Sequence, residues 1–278
     1  MVFEQALAAM EQSGQSLFGP ISFRDYVSQH DIETSSRTPR YISVDSLSDL
    51  APELREQDVM VLRVGTADGT GTAFLLVNSP DGVEEFFLRD AELFPGQSVE
   101  KFTSPLGQER LLGFHLLPKL SETSLVNLGL ASGVLSEALR LDTSGALAPP
   151  ATGNSTFTFP IRPHSDISTT VTHRHGQVEI DTLFAERRNG EVALFVIEAK
   201  TGSRGSLAKH KLMYPILALA DSAPSDIEII PVYLRCRRDD DRITFDVAEC
   251  EVPNPRTTLP AITDLTVTET RVLELAIQ

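Results

Sequence analysis

The chain has 278 residues, is 41% hydrophobic and 23% charged, and carries a formal net charge of -15. That length suits one large globular domain or two modest ones, and the longest uninterrupted apolar run, Val192 to Ile197, falls far short of the ~20 residues that a membrane-spanning helix needs. The first residues lack the basic start and cleavage signature of a secretory signal, so a cytoplasmic location is expected, and Cys236 and Cys250 are too offset for a disulfide scaffold.

Taken in chain order, residues 1–119 read as an N-terminal α+β module. Helices are expected at about residues 2–13 and 22–30, then a polar linker to Pro39 and a short helix near residues 44–53. Strands follow at about residues 58–64, 72–77 and 83–88, divided by the turns Asp68-Gly69 and Pro80-Asp81-Gly82, and a strand at residues 110–117 closes the unit. No site signature stands out in this half. Its role as target recogniser, oligomerisation surface or scaffold is open.

Residues 120–278 carry more information. A helix is expected from Ser121 to about Leu141, including Glu137, then a small-residue loop, a strand at residues 156–161 and a Ser/Thr-rich connection with His164, His173 and His175. His173-Arg174-His175 sets two imidazoles at strand spacing without a third close ligand, so phosphate contact or plain loop is the better reading. Next comes a hairpin. Asn189-Gly190 lies between two apolar runs, and both central residues of a type I′ turn need positive φ. A two-residue turn there pairs Asp181 with Glu198, Glu179 with Lys200, Leu183 with Val196 and Ala185 with Leu194. The opposite face then carries Val178, Ile180, Thr182 and Phe184 against Phe195, Ile197 and Ala199, so both faces read as buried. A solvated ribbon would stay polar as far as the turn. Two like charges placed directly opposite are destabilising unless a proton or a cation sits between them.

Asp181, a gap across a hairpin, then Glu198-Ala199-Lys200 resembles the PD-(D/E)XK nuclease superfamily over about residues 122–252, with Ile180 in place of the proline common before the aspartate. The resemblance implies a restriction-endonuclease-like core, a mixed central sheet flanked by helices. It implies a Mg2+ ion, with Mn2+ as substitute, on Asp181 and Glu198 and the carbonyl of Ala199, and a catalytic Lys200. Glu179 would support Lys200, and Glu137 would be the acid that the superfamily often contributes from its first helix.

The following segment is expected to be a helix from about Ser206 to Ala220, with a kink at Pro215 and with His210 and Tyr214 stacked four residues apart as supporting groups. Only five lysines occur in the chain, and Lys200, Lys209 and Lys211 cluster here with Arg204. Beside a carboxylate pair, Arg204, Lys209 and Lys211 suit a phosphodiester backbone. Strands at about residues 226–235 and 242–250 complete an α-β-β-β-α-β-β order.

The overall negative charge opposes nucleic-acid binding, but it is unevenly placed. Residues 1–150 hold 10 basic and 21 acidic side chains, residues 151–278 hold 14 and 18. Abundant Asp and Glu with few lysines also suits high intracellular salt. The expected activity is that of a Mg2+-dependent endodeoxyribonuclease, type II restriction-like, with DNA as partner and no membrane. A restriction role would imply a homodimer and a cognate methyltransferase. A repair or junction-resolving nuclease is the alternative within enzymes, and a catalytically idle nuclease fold that binds nucleic acid or protein is the alternative outside them.

Overall fold

In the computed structural model, which describes residues 1–34, 39–67, 71–142, 147–203, 205–239 and 241–276, the Asn189-Gly190 turn forms as its residues dictate. Both sit at positive φ, 54° and 84°, and Arg188 pairs with Glu191 across them. The Asp68-Gly69 turn and Arg204 lie outside the described residues.

The strands are β1 (Leu17–Ser22), β2 (Val59–Thr66), β3 (Thr72–Asn78), β4 (Phe87–Arg89), β5 (Glu100–Phe102), β6 (Ala151–Ile161), β7 (Val171–Arg188), β8 (Glu191–Thr201), β9 (Ser206–Ala208), β10 (Glu228–Asp239), β11 (Arg242–Glu251) and β12 (Thr266–Ala276). The helices are α1 (Glu4–Ser13), α2 (Phe23–Gln29), α3 (Pro39–Ile42), α4 (Pro52–Glu56), α5 (Asp90–Leu93), α6 (Gln108–His115), α7 (Glu122–Ser132), α8 (Val134–Ala138) and α9 (His210–Leu219).

Most strands join one mixed sheet in the order β1-β3-β2-β7-β8-β10-β11-β12-β5, with β6 on the other edge of β7 and β4 paired separately with β9. The β8–β10, β2–β7 and β5–β12 pairs are parallel. The result is a mixed α+β fold with a large central sheet flanked by helices. Residues on either side of position 119 share a core: Phe74 and Leu75 of β3 pack in the same cluster as Leu212 and Ile216 of α9. Alternation along β8 divides the apolar interior, since Val196 joins the α9 side while Phe195, Ile197 and Ala199 join Leu125, Leu128 and Leu135 of α7 and α8 on the opposite side.

Several expected elements differ. Of residues 110–117, those to His115 belong to helix α6 and none is in a strand. Residues 44–53 form a 3-10 turn at Leu47–Asp49 followed by α4, which starts at the helix-compatible Pro52. Residues 83–86 are a 3-10 turn, with the strand confined to β4. The helix expected from Ser121 to Leu141 breaks at Gly133, whose φ of 84° is left-handed and caps α7. Ser206–Ala208 is the strand β9, held by β4, so the last helix begins at His210; Pro215 lies inside it.

Candidate active site at a gap in the sheet

The carboxylate pair owes its position to a defect in β7. Pairing with β6 matches Gly153 to Ile180 but Ala151 to Leu183, so Asp181 and Thr182 together oppose the single residue Thr152. This is a β-bulge, a device that re-aims side chains and is common beside active sites. It also changes which residues face which side: Val178 packs in the α9-side core, whereas Phe184 packs on the α7 side. The expectation that positions 178, 180, 182 and 184 share one face therefore holds only beyond the bulge, and the Asp181 face is not fully buried, since Glu179 and Ala185 are exposed.

The bulge also ends the β7–β8 ladder. The expected register is present from Arg188–Glu191 to Thr182–Ile197, one step short of Asp181 and Glu198. Beyond that point β7 pairs only with β6 on this stretch, and Glu179 lies opposite Asn154. Glu179 is therefore not across from Lys200. The free edge of β7 next meets a strand at Arg174, which touches Gly65 of β2. Among the described residues, the edge between these two contacts has no strand against it.

Into this gap β8 presents its charged end. Glu198 is 3% exposed. Lys200 donates a 2.8 Å hydrogen bond to Glu198 Oε1, and Lys211 lies 3.8 Å from the same oxygen and 3.4 Å from Asp45 Oδ1. Burial pushes the Glu198 carboxyl up to about 7, with Asp181 adding to the rise against the lowering effect of Lys211 and Lys200. Burial depresses Lys200, but Glu198, Asp45 and Glu122 together outweigh it and hold the ammonium above its ordinary value. Asp45 is raised by burial and lowered more by Lys211 and Lys200, with a net downward shift. Among the described residues, Asp181 has no direct hydrogen-bond or ion-pair partner.

The backbone adds an oxygen. Gly202 N donates to Cys236 O of β10 at 3.3 Å, while Thr201 N points the other way, to Glu122 Oε1 at 3.2 Å. Alternation puts the backbone groups of Ala199 on the Thr201 side, facing the gap that β7 vacates. Two carboxylates and a carbonyl form an all-oxygen donor set that fits Mg2+, which takes one or two carboxylates and keeps water and phosphate in its other positions. No group of three or more His, Cys, Asp or Glu side chains with metal-holding geometry occurs among the described residues.

The other expected site residues divide. His210 and Tyr214 are in contact with their rings tilted by 50° and centroids 5.3 Å apart, but both are buried and Tyr214 donates to Arg63 O at 3.0 Å. Lys209 points away from Lys211 and donates to Thr263 O at 3.2 Å; two residues along a helix turn by about 200°, so only Lys211 faces the carboxylates. Glu137 sits at the other end of the sheet, 3.3 Å from Arg271 of β12. The acid that α7 brings near Lys200 is Glu122, in its first turn. Neither Glu122 nor Asp45 stands out in the sequence: an acid just after the N-cap Ser121 reads as an ordinary helix start, and Asp45 falls within the short helix expected near residues 44–53.

The chain between β8 and α9 is pinned from below. Asp90 is fully buried and accepts from Tyr233 Oη at 2.7 Å and Gly205 N at 2.6 Å; Arg235 is ion-paired with it, Nε lying 2.6 Å from Oδ2 while donating to Tyr233 Oη at 2.8 Å, and Arg235 Nη1 reaches Ser203 O at 2.9 Å. Of the remaining histidines, His164 accepts from Asp166 N through Nδ1 and so donates through Nε2 to Glu85, 2.8 Å away. His173 is buried and stacked on Phe159 at 4.5 Å, and His175 is exposed. Cys236 and Cys250 are buried free thiols.

Among the described residues, no helix is long and apolar enough to cross a membrane. Residues 108–258, from α6 past the end of β11, match the family model described as a domain of unknown function (DUF6997). No curated protein and no solved structure matches the chain.

Proposed function

We propose that this chain, which belongs to the family described as domain of unknown function DUF6997, is a Mg2+-dependent DNA endonuclease with a restriction-endonuclease-like core. The observation that carries the reading is the bulge at Asp181-Thr182. It opens the ladder beside Glu198, which is buried with a lysine 2.8 Å away and whose carboxyl feels the charge of Asp181. A purely structural ribbon gains nothing from that arrangement, because burying Glu198 beside Asp181 costs stability that a cation would restore.

Asp181, Glu198 and the Ala199 carbonyl would hold the ion. When bound, Mg2+ supplies an activated water and neutralises charge growing on the phosphate. Lys200 shares the Glu198 face and places a positive charge where the phosphate would develop negative charge. Lys211 bridges Asp45 and Glu198 and offsets their repulsion. The low solvent exposure around Glu198 strengthens each of these interactions. Beyond the class of reaction, a type II restriction role rests on the pairing of this core with the N-terminal segment.

Purified protein incubated with supercoiled and linear DNA, in Mg2+ and in EDTA, tests the reading. Cleavage is expected in Mg2+ alone, with losses of roughly a hundredfold or more in Asp181→Asn and Lys200→Ala. Equal cleavage by all three proteins would sink the assignment. Discrete fragments from linear DNA would support restriction over repair.

A further inference from the structure

A cavity of about 140 Å³ adjoins the carboxylate site through Asp45 and Lys211. It lies along the open edge of β7, with His173, Gln177 and Val178 on that side and His210 and Tyr214 of α9 opposite. The three rings form one cluster: Tyr214 lies 5.2 Å from His173 and 5.3 Å from His210. His173 is 1% exposed and His210 is 7% exposed, and the Nδ1 atom of each lacks a hydrogen-bond partner. Orphaned buried polar atoms cost stability unless something meets them. Two such atoms on residues that line one cavity point to a ligand with polar edges.

The chemistry of the wall limits that ligand. Burial lowers His173 to about 4 and His210 to about 3, so both rings are neutral near pH 7 and offer single donors or acceptors rather than charge. Asp45 and Glu179 are balanced by Arg63 and Lys211, so the lining carries no net charge to select an anion. Phosphate is left to Lys200 and to Lys211, which the cavity shares with the carboxylate site. The volume is below that of pockets for drug-sized molecules, and the walls are aromatic faces with polar edges. A planar heteroaromatic ring with its own donors and acceptors satisfies all of these conditions.

We infer that the cavity receives one unpaired nucleobase of the substrate strand, adjacent to the phosphate presented to Asp181, Glu198 and Lys200. This rests on the nuclease reading for its substrate, and it narrows that substrate to DNA with a single-stranded, mismatched or extruded nucleotide at the site. Such bases are the least costly to withdraw from a stack, and aromatic platforms hold them without demanding one sequence.

Full-length protein in EDTA, which separates binding from cleavage, is titrated with a short single-stranded oligonucleotide carrying 2-aminopurine, with the same strand carrying an abasic position, with a fully paired duplex, and with 2-aminopurine riboside alone. The expected result is a change in 2-aminopurine fluorescence on binding of the single strand, and affinity for the abasic strand and for the duplex weaker by roughly tenfold or more. Gln177→Trp, at an exposed position on the cavity wall, should abolish the fluorescence change and weaken binding to the abasic level, while Gln177→Ala retains both. Equal affinity for abasic and base-containing strands, an unchanged Gln177→Trp, equal loss in Gln177→Ala, or free riboside binding as tightly as the strand would each overturn the inference. Base-dependent binding without Mg2+-dependent cleavage would remove the nuclease reading and support the base site; cleavage without base dependence would do the reverse.

Discussion

Replacing Glu198 by Gln should remove a pH dependence of stability that the wild-type chain carries. The side chain is 3% exposed and its carboxyl is pushed from an ordinary 4.5 to about 7, first by burial. Between those two values the native state keeps a proton that the unfolded chain has already released. Stability from this group is therefore fully present below 4.5 and is lost as pH rises through 7. At about 1.4 kcal/mol per pKa unit, the loss is ~3 kcal/mol. Urea denaturation in EDTA at intervals from pH 4.5 to 8 measures it, because the other titrating groups are common to both proteins and cancel in the difference. The wild-type stability minus that of Glu198→Gln should fall by ~3 kcal/mol across the range, and a flat difference would refute the reasoning. Adding Mg2+ at pH 8 should return stability to the wild type, about 2.7 kcal/mol at a hundredfold excess over Kd, and little to the variant.

Lys211→Ala should weaken DNA binding and reduce the salt slope by about one, whereas Lys209→Ala, whose ammonium bonds Thr263 O and lies near Glu85 and Asp264, should bind DNA normally and lose ~1 kcal/mol of stability; equal effects on binding would contradict the opposed facing of the two lysines. Gly176→Ala should cost ~1–3 kcal/mol in urea unfolding, because a Cβ there meets the His173 ring and lies 2.6 Å from Gly65 Cα where β2 crosses β7. Arg235→Met leaves Asp90 charged and buried without its cation, so a loss of ~3–5 kcal/mol is expected, with faster hydrogen exchange at Gly205, whose N–H bonds the same carboxylate.

What could be read from sequence was local. Asn189-Gly190 dictates its own φ values, and from a two-residue turn the register follows by counting, as the Thr182–Ile197 pairing bears out. Lys200 two residues beyond Glu198 necessarily shares its face. The unread elements depend on distant partners. Leu207 heads the leucine-rich run that reads as a helix through Leu212 and Ile216, yet Ser206–Ala208 becomes a strand because Phe87–Arg89 offers it a ladder. The strand β12 was not anticipated because charge interrupts its apolar positions; those charges are met by other elements, Arg271 by Glu100, Glu274 by Arg242 and Glu269 by Arg140.

The bulge belongs to this second class, and it separates a sequence match from a site. Ideal pairing would have continued to Ile180 and Ala199, joined their backbones, and set Glu179 against Lys200. A bulge is decided by two neighbours at once: β6 must continue pairing with β7 on one edge while β8 is released on the other. Neither requirement is written in residues 176–200 alone. Its consequences are chemical, because releasing β8 leaves the Ala199 backbone without a β7 ladder partner, leaves Lys200 to Glu198 rather than Glu179, and opens the edge along which the His173–His210 cavity forms. An extended ladder would have produced a matching string of charges with neither an unladdered Ala199 backbone nor a cavity beside it.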